Sequence, residues 1–313
     1  MNREYRSFSG RSDSTVPLSG RMENKMRNDI KILIAGGDKR QIYCASRLAL
    51  RYSTTISGFD CKALPMHLKP LSDPSPAPGL YDYAVLPMNA LNSDGSVNTP
   101  YGCSLSAETI ASAVKDNGII FTGREDFLLR ELFPEQKLVS YLTNEELLLK
   151  NAYLTAEGAV QIALEKLDTA LSGLPVLIVG LGRIGTALSR ILLGFSADIT
   201  AAVRSPEAEA KAEMLGIRSV YTNKLSDDYA LVFNTVPATV FTSENINVFN
   251  SDTLFIELAS GTGGFDADSS SEIGMRLIRG NGLPGKTAPV TAGEIIADAI
   301  SDIIERRGDS FDE

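Results

Sequence analysis

The sequence predicts an α/β protein: two Rossmann-like, doubly wound domains with a cleft between them, and a C-terminal helix that returns to the first domain. Three observations lead there. Short β-branched runs alternate with helical stretches in both halves of the 313-residue chain, the pattern of parallel strands joined by crossover helices. Two of those runs, "IKILIA" (30–35) and "VLIV" (176–179), lead directly into glycine turns. Between the halves, Asn144 to Leu171 is proline-free and rich in Ala, Leu and Glu, which suits a long helix linking two domains.

Taken in order, residues 1–28 hold six Lys/Arg against three Asp/Glu and almost no aliphatics, the composition of a disordered extension. Met22 and Met26 lie close enough to the first strand to be alternative starts, and a functional basic arm is the other reading. After the strand, Gly36-Gly37-Asp38 makes a turn and a helix is expected from Lys39 to Tyr52. "TTISGFD" (54–60) reads as the second strand, "LKPLSDPSPAPGLYD" (68–82) as a proline-rich loop, and "YAVLP" (83–87) as the next strand. "SAETIASAVKDNGIIFTG" (106–123) reads as a helix and then a strand. In the second half, strands are expected at 176–179, at the end of "ADITAAV" (197–203), and within "YALVFNTVP" (229–237), "TLFIELAS" (253–260) and "GMRLIRG" (274–280). In the last stretch Thr291 and Glu294 have capping-box spacing, and Ile295, Ile296, Ala299, Ile300, Ile303 and Ile304 form one apolar stripe. The expected domains are 29–150 together with 291–313, and 151–290.

The charge narrows the function. Net charge is −9, and −12 without the extension, a poor basis for binding nucleic acid or an anionic membrane. No apolar run approaches the ~20 residues that span a bilayer, and the first residues are not of signal-peptide type. Cys44, Cys61 and Cys103 are odd in number with no CxxC spacing, so they read as free thiols in a reducing cytoplasm. No metal-ligand spacing is present.

Gly180-Leu-Gly182-Arg-Ile-Gly185 is a G-x-G-x-x-G turn between a hydrophobic strand and an amphipathic helix. In such a turn the first glycine permits the bend, the second admits a pyrophosphate to the backbone, and the third lets helix and strand pack. The helix N-terminus then meets the anion with free N–H groups. Nineteen residues beyond Gly185, where an acid would hold the ribose of NAD, stand Arg204 and Ser205. A guanidinium fork with an adjacent hydroxyl suits a 2′-phosphate, so the expected cofactor is NADP(H); the alternative is a solvated arginine stacked on adenine. The expected cofactor set is Gly180, Gly182, Arg183, Ile184, Gly185, Arg204 and Ser205, with Thr235, Val236, Pro237 and Ala259 from later strand ends.

The turn "AGGDKRQ" (35–41) lacks a third glycine and offers Asp38, Lys39 and Arg40 at a helix entrance, a place for a carboxylate substrate rather than a dinucleotide. "PMNALNSDG" (87–95), with Asn89, belongs to the same rim, because substrates of open α/β sheets bind outside the carboxyl ends of the strands. "ASGTGG" (259–264) and "GLPGKTAP" (282–289) would face it. The single histidine, His67, sits in a proline-flanked loop and reads as an exposed residue. Proton transfer therefore falls to another group, Lys286, Glu157 or Asp38, or the reaction hardly needs one, as in aromatising a dihydropyridine.

"GLGRIG", "NTVP", "ELASGTGGFD" and above all "GLPGKTAPVTAGEI", with "AGGDKRQ" and "NAYLTAEGAV", closely resemble the A-subunit family of dipicolinate synthase over about Ile30 to Arg306, Glu257 standing where an aspartate is expected. The resemblance implies formation of pyridine-2,6-dicarboxylate from a dihydrodipicolinate-type precursor in the mother cell of a sporulating bacterium. It also implies a partner, the flavoprotein-like B-subunit of dipicolinate synthase. A planar dicarboxylate wants cations, for which Arg40, Arg124, Arg183 and Lys286 are the candidates, with Asn89 beside them. Two-domain dehydrogenases of this shape are commonly homodimers. Two other readings stay open: an NADP-dependent reductase of a 2-oxo or 2-imino acid, of D-2-hydroxyacid dehydrogenase type, and an NADPH-binding protein without chemistry of its own.

Overall fold

A computed structural model describes residues 26–60, 64, 68–70, 76–100, 104–125, 127–261, 263–266 and 276–308; most of the expected N-terminal extension, His67, Cys61 and Cys103 lie outside them. The first sheet comprises β1 (Arg27–Ala35), β2 (Tyr52–Ser57), β3 (Lys69–Pro70), β4 (Tyr81–Val85), β5 (Val114–Thr122) and β6 (Lys137–Ser140). They are all parallel, in the order β3-β2-β1-β4-β5-β6. The second comprises β7 (Pro175–Val179), β8 (Asp198–Val203), β9 (Arg218–Tyr221), β10 (Leu231–Asn234), β11 (Leu254–Glu257) and β12 (Arg276–Arg279), also parallel, in the order β12-β11-β10-β7-β8-β9. Each is doubly wound, and the direction of winding reverses between β1 and β4 and between β7 and β10. At such a switch point the loops on either side diverge and leave a crevice.

The helices follow from their ends and apolar faces. Asp38 caps α1 (Lys39–Leu48), accepting from the Arg40 N–H. The helix stops before the expected Tyr52, whose Tyr-Ser-Thr-Thr-Ile run pairs with β1 instead, as β-branched residues favour. Ser106 caps α2 (Ala107–Ala113); with α3 (Phe127–Leu132) it covers one face of the first sheet. The helix α4 (Glu145–Lys166), capped by Asn144, straddles both units. Its Leu147 belongs to the core under α1, while Ala156, Ala159, Val160 and Ala163 belong to the core of the second sheet. There it packs with α5 (Arg183–Gly194) and α6 (Pro206–Met214). The opposite face of the second sheet is closed by a cluster of Phe241, Phe249, Phe255 and Phe265, with ring centroids 4.7–5.7 Å apart.

The chain returns through α7 (Leu283–Thr287) to α8 (Pro289–Gly308). Thr291 does not cap this helix. Pro289 opens it two residues earlier, with a fixed φ suited to a first turn, so Thr291 lies inside. The apolar stripe is as expected: Ile296, Ala299, Ile300 and Ile304 are buried in the first core. Helix α8 packs on α1 at Gly293, where a methyl would collide with the Arg40 carbonyl oxygen and lie 2.8 Å from the Cys44 nitrogen. Arg47–Asp298 and Arg51–Glu305 pairs flank the contact.

Candidate functional site

Two cavities sit at the two switch points. The first, about 390 Å³, lies over the Gly180 turn and is lined by Gly180, Gly182, Arg204, Ser205, Thr222 and Val236, among others. Gly180 has φ +89°, and a side chain there would press on Val236. A methyl at Gly185 would overlap the Gly180 carbonyl oxygen, so only glycine lets α5 pass this close. At Gly182 the space beside the backbone is open, and α5 begins there without a side-chain cap. Its first N–H groups are therefore available to an anion. The Thr235 hydroxyl donates to the Val179 and Gly180 carbonyls at 2.9 and 3.2 Å, which holds the turn shut from below. The residues present fit a dinucleotide pyrophosphate.

Around this turn the expected residues divide. Arg204 is exposed at the end of β8, on the cavity rim. Ser205 caps α6, accepting from the Ala208 N–H at 3.3 Å, and its hydrogen bond holds the Glu207 carboxyl below the usual range. Ile184 packs against the second core. Arg183 turns elsewhere: its Nε donates to Glu145 Oε1 at 2.8 Å and its Nη2 to Oε2, joining the start of α5 to the start of α4. That bond lowers the Glu145 pKa and raises that of Arg183. Pro237 is exposed, and Ala259 is buried. Sequence reasoning misses Lys211, which from α6 donates to the Leu181 carbonyl at 2.7 Å and places an ammonium on the glycine turn.

Beneath both later loops lies a carboxylate. Glu257 is 1% exposed. It accepts from the Asn234 amide at 2.9 and 3.0 Å, from the Ala259 N–H at 2.8 Å and from the Gly264 N–H at 2.7 Å. The loops "NTVP" and "ASGTGG" are thus tied to one buried acid.

The second cavity, about 160 Å³, lies at the β1/β4 switch point, and its lining includes Arg40, Gln41, Met88, Asn89 and Asn98. Arg40 is 12% exposed; its Nε donates to Asp38 Oδ1 at 2.9 Å and its Nη2 to Oδ2 at 2.6 Å. Burial alone would lower the Arg40 pKa, but the hydrogen bond and charge of Asp38 reverse that and leave it raised. Asp38 caps α1 and clamps Arg40, so both its oxygens are engaged. A side chain at Gly285 would meet Arg40 Nε at 2.8 Å and Asp38 Oδ2 at 2.9 Å, so α7 lies directly over the pair; Lys286, next in the chain, is exposed and lines neither cavity. Arg124 is exposed on the neighbouring loop, where Gly123 abuts the Met88 backbone. Glu157 is exposed on α4 at helical spacing from Tyr153 and Gln161 and lines neither cavity. Among the described residues no cluster of His, Cys, Asp or Glu is placed to hold a metal, and no helix is long and apolar enough to cross a membrane.

Switch points on two parallel sheets, one bearing a dinucleotide turn, define a two-domain protein of dehydrogenase type. Residues 150–261 match the NAD binding domain of the D-isomer specific 2-hydroxyacid dehydrogenases, which provides for a nicotinamide cofactor. Residues 31–143 match the N-terminal domain of the dipicolinate synthase A-subunit. It is 26% identical over 289 residues to the dipicolinate synthase A-subunit of Bacillus subtilis (strain 168), covering 89% of this chain and 97% of that one. The crystal structure of the Bacillus halodurans counterpart superposes with a TM-score of 0.80 at 26% identity, covering 89% of this chain and 98% of that chain. A transhydrogenase from Sinorhizobium meliloti shares the fold alone, at 14% identity and TM-score 0.65, over 88% of this chain and 94% of that chain.

Proposed function

We propose that this chain catalyses the NADP-dependent formation of pyridine-2,6-dicarboxylate from a dihydrodipicolinate-type precursor, together with a flavoprotein-like B-subunit in the mother cell of a sporulating bacterium. One observation supports it above the others. A dinucleotide turn with a cation at its ribose end stands in the same molecule as a small cavity built around a buried arginine. In this reading 151–290 holds the cofactor and 29–150 with 291–313 holds the substrate.

Aromatising a dihydropyridine removes a hydride and a proton. Bound NADP⁺ would supply the hydride acceptor. The chain's own part is positioning: the α5 N-terminus binds pyrophosphate and Arg204 the 2′-phosphate. Arg40, fixed by Asp38, orients one carboxylate, and Asn89 from the cavity lining, with Arg124 from the neighbouring loop, receives the other. Lys286, acting as the neutral amine, takes the proton lost from the ring, and no histidine is required.

The test is to mix the purified chain with NADP⁺ and freshly generated precursor, with and without the flavoprotein partner, and to follow the pyridine dicarboxylate and NADPH. Product and NADPH from the chain alone are expected, and Lys286→Ala should lower turnover with NADPH affinity intact. No product under either condition would overturn the reading; product only with the flavoprotein present would reduce the chain to a cofactor-binding partner.

A further inference from the structure

We propose that Lys211 is a second specificity-determining cation of the cofactor site, its ammonium standing with Arg204 around the 2′-phosphate of the adenosine ribose. This deepens the NADP(H) reading above and rests on it.

Helix α6 sets the position of this side chain. Ser205, Ala208 and Lys211 follow one another at helical spacing and so lie along one side of the helix. The first two line the cavity over the Gly180 turn. Side chains on a helix lean toward its N-terminus, which carries the Lys211 stem back over Ala208. Its Nζ then donates to the carbonyl of Leu181, another lining residue, at 2.7 Å. The ammonium therefore stands where α6 meets the glycine turn. Because α6 begins directly after Arg204, this is the ribose end of the site, whereas the pyrophosphate is met by the start of α5.

The charge of Lys211 has no acid against it. Glu207 precedes it by four residues, the spacing and order in which a glutamate ordinarily pairs with a lysine on a helix. Here the Ser205 hydroxyl holds the Glu207 carboxyl instead, and Glu209 accepts from the Tyr221 hydroxyl at 3.1 Å. Among the described residues the Leu181 carbonyl is the one hydrogen-bond partner of Lys211, and an ammonium has further donors to offer. Arg204 likewise has no carboxylate partner among the described residues. In a chain of net charge −9, two cations without acids thus stand beside one glycine turn. Such an arrangement draws an anion, and at the ribose end of the cofactor that anion is the 2′-phosphate.

Dissociation constants of NADPH and NADH for the full chain, taken by fluorescence titration at low and high salt, test the assignment. Lys211 is exposed, so its contact is partly screened. Lys211→Met should weaken NADPH by about 10-fold and NADH by less than about twofold, and the NADPH loss should shrink as salt rises. Lys211→Gln, which keeps a donor but not the charge, should match Lys211→Met. Lys211→Arg should restore NADPH to within about threefold of the wild type. Equal losses for the two cofactors, an NADPH constant that does not change, or a loss that Lys211→Gln repairs would reduce Lys211 to a tie on the turn. Any of these overturns the assignment and leaves the role of Arg204 standing. If the wild type binds NADPH no more tightly than NADH, the NADP(H) reading fails and this inference with it. Should Lys211→Met not fold, Lys211→Gln decides.

Discussion

Among the described residues Arg204 has no carboxylate partner that would hold it away from the cavity rim, and Ser205 beside it is engaged as a helix cap. In the proposed NADP(H) reading, discrimination between the two nicotinamide cofactors rests chiefly on the guanidinium. Replacing it by a carboxylate removes a charge-assisted contact and sets like charges together, a combined cost of about 3 kcal/mol. Arg204→Asp is expected to weaken NADPH by about 100-fold and NADH by less than about threefold, measured by fluorescence titration; equal losses would refute the 2′-phosphate role. Glu257 offers the opposite case, a buried acid whose neighbours are donors. In Glu257→Gln the new NH₂, in either orientation, must face both the Asn234 amide and a backbone N–H. A donor–donor contact in a buried site costs about 2–4 kcal/mol. A thermal melt lowered by at least about 5 °C is expected, and a melt unchanged within a degree would contradict the network.

At the scale of elements, what is legible follows a local period or a local turn. The isoleucine stripe of α8 and the glycines of the α5 turn are contiguous signals, and both appear where expected. The start of α8 differs because a capping pattern at Thr291 competes with Pro289, and the proline's fixed φ prevails. The phenylalanine cluster behind the second sheet is not legible, since its members are spread from Phe241 to Phe265 and meet only in space. Gly293 shows how an element's position depends on an absent side chain. Glycine inside a helix normally costs about 1 kcal/mol relative to alanine, yet here it admits α1. Gly293→Leu should destabilise by about 2 kcal/mol or more in urea unfolding, through overpacking; a gain in stability would show that the two helices do not pack this closely.

For the molecule as a whole, the chain crosses between the units twice, outward along α4 and back through α7 and α8. Because α4 contributes to both cores, loss of either core removes one half of a continuous helix from its packing. Calorimetry is therefore expected to show one transition, with a van't Hoff enthalpy close to the calorimetric value; two resolved transitions would mean that the cores are independent. The candidate site is legible on its cofactor side, where one short motif contains the geometry. It is less so on the other side, where Gln41, Met88 and Asn98 come from separate parts of the chain and converge only through the fold.

The late placement of α8 also bears on the order of events during synthesis. Among the described residues the second unit's cores draw only on residues 156–283, a single stretch of chain. The first unit's core is incomplete without Ile296, Ala297, Ile300 and Ile304. These are translated after the whole of the second unit's core. Nascent domains ordinarily close in the order they are made. In this chain the half translated second can close first, and the half translated first waits with an open apolar face until α8 emerges to cover it.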